Sequence, residues 1–218
     1  MNIANAVSGL LRAGRRLSAK IRLLKPPLKL AAKKAAKLQG GPKAGGRGIA
    51  ISSGHGLLIP GARGLLDEVR EARRIVSAIA GLLREKGVPV SVFHDDESAT
   101  QAANLDAIVG WHNRQKRGLD VSIHLNAFLP TEGPMGTETL YRTAGKAAKR
   151  LSKAVSRAGG FRNRGAKKRG NLAFLNRTKK PALLLETCFV DSAADVGLYK
   201  ANFDAICRAI AEELTRTE

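Results

Sequence analysis

The chain of 218 residues has two cysteines, Cys188 and Cys207, and no acidic residue before Asp67. Two thiols make no disulfide framework. Both are read as structural, since free cysteine usually serves as a small buried hydrophobe. Long apolar runs are also missing: charge interrupts each of them, which argues against a membrane-spanning helix. The N-terminus opens with a basic patch as targeting sequences do, yet no continuous apolar core follows Arg15 and Arg16. A cleavable secretory signal peptide is therefore not expected, and the chain is expected to be made in the cytoplasm.

Positive charge is abundant. The formal net charge is +20, and the twelve lysines and arginines of the first 47 residues leave +8 for the remainder. Such an imbalance points to an anionic partner and says nothing of fold. Residues 1–46 are read as a basic helical arm and linker, and residues 47–218 as one α/β domain. In the arm, Ile3, Val7, Leu10, Leu11, Leu17, Ile21 and Leu24 recur at helical spacing, with Arg12, Arg15, Arg16, Lys20 and Arg22 mostly on the other side. Pro26 and Pro27 end that pattern. LKLAAKKAAKLQ is a second basic run, and GGPKAGGRG reads as a flexible linker. Three readings stay open for the arm: a solvated tail, a helix for an anionic membrane or lipopolysaccharide surface, and a nucleic-acid contact. The third is disfavoured, because the Ala/Lys run has no aromatic residue on which a base can stack.

From residue 49 onward strand-like and helix-like runs alternate. Strands are expected at 49–54, 88–93, 120–125, 136–141, 171–176 and 182–186. Helices are expected at 67–86, with Val69, Ala72, Val76, Ile79 and Leu83 inward, and at 98–116, 144–158 and about 195–216. This order predicts a single twisted, largely parallel sheet with helices on both faces. Ligands of such sheets bind beyond the carboxyl ends of the strands.

His55, His124 and Glu186 all fall at such ends, and Glu68 opens the first helix. Two imidazoles and a carboxylate match a catalytic zinc site, which keeps one position open. Each residue also has a plainer reading. His55, between Gly54 and Gly56, can be a turn residue, and His124 a satisfied core histidine. Asp67, Glu68 and Glu71 all suit the positive end of a helix whatever their function, so Glu68 and Glu71 both remain candidate ligands. Cys188, two positions after Glu186, is a weaker one. His94 and His112 are assigned to packing or surface roles.

At these residues the chain resembles the zinc-dependent N-acetylmuramoyl-L-alanine amidases of type 3, which cut the sugar-to-peptide link of peptidoglycan. SGHG with PGARG behind it, LLDEVREARRIV, VSIHLNA, NRGAKKRGNLAFL and PALLLETCFVDS follow one another in the family's order, over about residues 48 to 218. The pattern departs at Ile59, where an Asp usually precedes the Pro-Gly; that exchange bears on a contact behind the ligands. The resemblance implies His55, Glu68 and His124 as zinc ligands and Glu186 as the catalytic acid/base. Asn126 and Arg164 are the candidate substrate-binding residues, and Arg164, on the resemblance alone, is also a candidate for holding the oxyanion. Expected on this basis is a zinc amidase acting on peptidoglycan in the bacterial cell wall, as a phage lysis enzyme that leaves the cytoplasm through a holin pore. Two alternatives stand beside it: a non-catalytic cationic protein binding envelope or nucleic acid, and a zinc amidase or peptidase with another substrate. No acidic residue lies between Arg142 and Lys180, and peptidoglycan peptides carry carboxylates, so a basic groove near the zinc is a further expectation.

Overall fold

The computed structural model describes residues 48–216; the arm, including its expected helix, lies outside them. The first strand, β1 (Ile49–Ser53), leads into α1 (Glu68–Glu85), β2 (Val90–Phe93), α2 (Gln101–Arg114), β3 (Leu119–Asn126), β4 (Thr137–Tyr141) and α3 (Gly145–Gly159). Then come β5 (Asn163–Lys168), the short α4 (Ala173–Arg177), β6 (Ala182–Phe189) and α5 (Ala193–Thr215). The six strands form one sheet in the order β2-β1-β3-β6-β4-β5. Every pairing is parallel except β4 with β6. The expectation of a largely parallel sheet between helices is borne out.

Helix starts follow local chemistry. Asp67, Thr100 and Ser192 each accept a hydrogen bond from the backbone N–H three residues on, capping α1, α2 and α5. Along α1, Val69, Ala72, Ile75, Val76, Ile79 and Leu83 are buried at helical spacing. All of these but Val69 join Ile49, Ile51, Val121, Ile123, Leu183 and Leu185 in the larger core, on one face of the sheet. Fully burying each large aliphatic side chain stabilises the fold by about 1.5–3 kcal/mol. The other face has a smaller apolar cluster, with Ile108, Leu140, Phe174, Leu175, Ala182 and Leu184. Between these residues stand polar side chains. That face holds the candidate site.

Three local expectations are corrected. Residues 171–176 form no strand: Phe174 and Leu175 are buried from α4, and the strand is β5, at Asn163–Lys168. A short apolar run cannot by itself be told from a helical turn. β5 was missed because NRGAKK is an edge strand with no apolar alternation. Finally, His124 and Glu186 are not the last residues of their strands, which continue to Asn126 and Phe189. Both lie in the carboxyl-terminal halves, paired with each other.

A candidate metal centre on the polar face

Three ligand atoms, one each from His55, Glu68 and His124, lie within 4.8 Å of one another. The loop after β1 delivers His55, the first turn of α1 delivers Glu68, and β3 delivers His124. Glu68 is the hinge of the group. Its Oε1 stands 3.0 Å from His124 Nδ1 and 3.6 Å from His55 Nε2. It is oriented by backbone donors, Ala62 N–H to Oε2 at 2.6 Å and Leu125 N–H to Oε1 at 3.1 Å. Glu71, the alternative, faces elsewhere. Its carboxylate accepts from the Tyr199 hydroxyl at 2.9 Å and is flanked by Arg70 and Arg74.

The electrostatics suit a cation. Burial pulls the His124 pKa down, but the hydrogen bond with Glu68 and the charges of Glu186 and Glu68 outweigh it and leave the pKa raised. Burial raises the Glu68 pKa, and the His124 hydrogen bond with both imidazole charges overturns that effect and lowers it. Burial lowers the His55 pKa. The cluster thus favours one positive charge between a carboxylate and two rings, which a metal ion can supply in place of the proton. Two buried polar atoms at the site, His55 Nδ1 and Glu186 Oε2, have no hydrogen-bond partner, and such atoms normally have one. The donor set and these unpartnered atoms fit zinc.

Glycine makes the close approach possible. A Cβ on Gly54 would fall among the His124 ring atoms Cε1, Nε2 and Cδ2, and one on Gly61 would meet the Glu68 carboxylate and His55. The glycine before His55 therefore admits the second imidazole, whereas Gly56 lies against Asp95 and Asn104.

Glu186 pairs with His124 across β3 and β6, and with Glu138 across β6 and β4. Burial first, then the charges of Glu68 and Glu138, push its pKa up to about 7 against the pull of His124. A carboxyl poised there can take and return a proton near neutral pH. Beyond Glu186 the register slips by one residue, since two steps on β3 match three on β6. This bulge turns Cys188 into the core on the opposite face. There it is fully buried, with its pKa raised well above normal by burial. Cys188 is thus a core residue, away from the cluster.

Asn126 lies on the same strand face as His124, and its Oδ1 accepts from Ala127 N–H at 2.9 Å. Arg164 stands further off, on β5. Its Nε donates to Glu138 Oε2 at 2.7 Å, and its guanidinium lies 4.9 Å from the centre of the Phe189 ring. The backbone of β5 is three strands from β3, about 14 Å at normal strand spacing, and the Arg164 side chain reaches back from it to Glu138 on β4 and Phe189 on β6. Glu138 and Lys167 are side chains that the sequence reading passed over. The signal for Glu138 was a lone carboxylate inside the otherwise buried strand TETLY.

The remaining histidines have structural partners. His94 Nδ1 lies 2.9 Å from Ser53 Oγ. His112 is fully buried, with Nδ1 2.8 Å from Asp120 and Nε2 3.0 Å from Ser52 Oγ. Ionised Asp120 only accepts, so Nδ1 carries the ring proton and the Ser52 hydroxyl donates to Nε2. Ser, His and Asp are lined up as in a nucleophilic triad, but none is accessible to substrate. Beside His55 and His124, a cavity of about 290 Å³ opens between the sheet and helices α2 and α4, lined in part by Leu105, Val109, Leu172 and Phe174.

A family model described as N-acetylmuramoyl-L-alanine amidase matches residues 49–216. An uncharacterized protein of Clostridium perfringens is 34% identical over 178 residues, covering 78% of this chain and 52% of that protein. The chain therefore spans about half the length of the curated relatives it matches. Among solved structures, the catalytic domain of CD27L, an endolysin targeting Clostridia difficile, superposes with a TM-score of 0.71 at 26% identity, covering 77% of this chain and 96% of that domain. An N-acetylmuramoyl-L-alanine amidase from Clostridium difficile 630 shares the fold, with a TM-score of 0.68 at 21% identity over 78% of this chain and 96% of that one. With the match running from β1 through α5, this chain belongs to the N-acetylmuramoyl-L-alanine amidase family.

Proposed function

We propose that the chain hydrolyses the amide between N-acetylmuramic acid and L-alanine in peptidoglycan, with zinc as its metal. The observation that supports this most is the convergence of His55, Glu68 and His124, with Glu186 paired beside His124. In this reading the first three hold the ion. Bound there, zinc supplies a positive charge that polarises the scissile carbonyl and makes water more acidic. Glu186, whose burial favours the protonated form, accepts the proton of the attacking water and returns it to the leaving nitrogen. Glu68 keeps its orientation through the Ala62 and Leu125 amides, so the ligand geometry is fixed before substrate arrives. Asn126 borders the substrate.

Likeness to the endolysin catalytic domain supports a lysis role, which we assign to a phage enzyme acting on the bacterial cell wall. The basic arm adds attachment to an anionic membrane or lipopolysaccharide surface. Among the described residues no helix is long and apolar enough to cross a membrane.

Digestion of purified sacculi tests the bond. Free amino termini on L-alanine are expected without new reducing sugar ends, and new reducing ends would refute the assignment. Glu186→Gln should retain zinc and fold while turnover falls on the order of 10²-fold or more; near-normal turnover would move the proton to another group.

A further inference from the structure

Two cations, Arg164 and Lys167, lie on the same row of the sheet as the candidate centre. His124, Glu186 and Glu138 are register partners across β3, β6 and β4, and β5 adds Arg164 and Lys167. Residues three apart on a regular strand point to opposite faces. Here two steps on β4, from Thr137 to Thr139, match three on β5, from Asn163 to Ala166. The extra residue is accommodated around Gly165, whose φ of 81° suits glycine. As a result Arg164 and Lys167 both reach Glu138 Oε2, at 2.7 and 2.5 Å. One carboxylate facing two cations leaves a surplus positive charge. Both side chains keep access to solvent, at 26% and 33% exposure, while Glu138 keeps only 6%. The acid-free stretch from Arg142 to Lys180 surrounds them with no competing carboxylate of its own.

We infer that Lys167 and Arg164, gathered by Glu138, form a subsite for a carboxylate on the peptide side of the substrate, about three residues from the scissile amide. The inference rests on the amidase reading above. Its length comes from the sheet: Glu138 is two strands from β3, about 10 Å, and an extended peptide spans about 10 Å in three residues. Its side comes from chemistry. The carboxyl of the muramic acid is consumed in the scissile amide, so the free carboxylates nearby belong to the peptide. A guanidinium beside an ammonium is suited to them, since charge-assisted bonds to carboxylate are the strong ones. Glu138 is a positioning residue in this scheme, and Phe189 supports the Arg164 guanidinium.

The test uses the full chain loaded with zinc and two substrates: muramoyl peptides with free carboxylates, and the same peptides with those carboxylates amidated. Amidation should lower kcat/KM about tenfold or more, mainly through KM. Lys167→Gln should lower it similarly on the free peptides and barely alter it on the amidated ones, with Lys167→Arg restoring the preference. A readout independent of turnover is calorimetric binding to the Glu186→Gln protein, where free peptides should bind about tenfold more tightly. Equal kcat/KM and equal binding for the two substrates would overturn the subsite, as would a Lys167→Gln effect of the same size on both. Failure of the amidase reading looks different: neither substrate would yield amino termini on L-alanine, while binding would still report on the subsite.

Discussion

Gly54→Ala puts one methyl group against the candidate centre and nothing else. The backbone there is not left-handed, so alanine brings no conformational strain of its own. Its Cβ would nevertheless fall within the His124 ring, 1.8 Å from both Cε1 and Nε2. Carbon atoms pack at about 3.5–4.0 Å, so the ring has to retreat by roughly 2 Å. Overpacking of this kind costs about 1–3 kcal/mol, a fall in Tm of about 2–12 °C for a domain of this size. The chemical loss should be larger than the thermal one, because a misplacement of about 1 Å at a reacting centre can cost on the order of 10²-fold in rate. The assay is threefold: zinc per chain after dialysis, a thermal melt, and release of L-alanine amino termini from sacculi. Gly81→Ala, in α1 with nothing within 4 Å of the new Cβ, is the control; it should keep zinc and activity and stabilise by about 0.5–1 kcal/mol. A Gly54→Ala protein with wild-type zinc content and turnover would refute the claim that His124 is held as a ligand where the structure has it.

Other outcomes separate neighbouring roles. Glu68→Gln should weaken zinc binding in equilibrium dialysis. Glu71→Gln should keep zinc and lose stability, since Glu71 binds Tyr199 and not the histidines; the reverse pattern would exchange their assignments. Acid should destabilise the fold through the buried Ser52, His112 and Asp120 network. Burial lowers the His112 pKa below its ordinary 6.5. For Asp120, the His112 and Arg117 bonds outweigh burial and bring the pKa below 3.8. Each contribution is complete above the ordinary value and is lost as pH falls through the lowered one. Urea melts from pH 7 to pH 4, a window that crosses the ordinary value of His112 and stays above that of Asp120, should show the His112 part of this decline, flattened in His112→Gln; parallel curves would remove His112 as its source. A protein starting at Arg47 should still hydrolyse isolated peptidoglycan but lose salt-sensitive attachment to anionic vesicles. Equal vesicle binding at low salt would reduce residues 1–46 to a solubility tail, and preference for DNA would favour the nucleic-acid reading.

The sequence by itself determined the elements whose apolar residues recur at a fixed period, α1 above all, and the order of strands and helices that makes a largely parallel sheet. It also named the residue types of the candidate centre, because histidine and glutamate beside strand and helix ends are legible without coordinates. What lies between strands was not legible. NRGAKK has no apolar alternation, so nothing in it announced β5, and the two buried apolar residues of NLAFLN fit a strand as well as the helical turn they form. The choice of Glu68 over Glu71 depended on which way α1 is rolled against β3. That roll is set by packing of the larger core, which no local pattern encodes. The bulges in β5 and β6 were equally invisible. Each is one extra residue on one strand, defined only against its partner, and they bring Lys167 beside Arg164 and turn Cys188 away from Glu186. Sequence can set which groups are available, but their common face depends on register, and register exists only once the strands have paired.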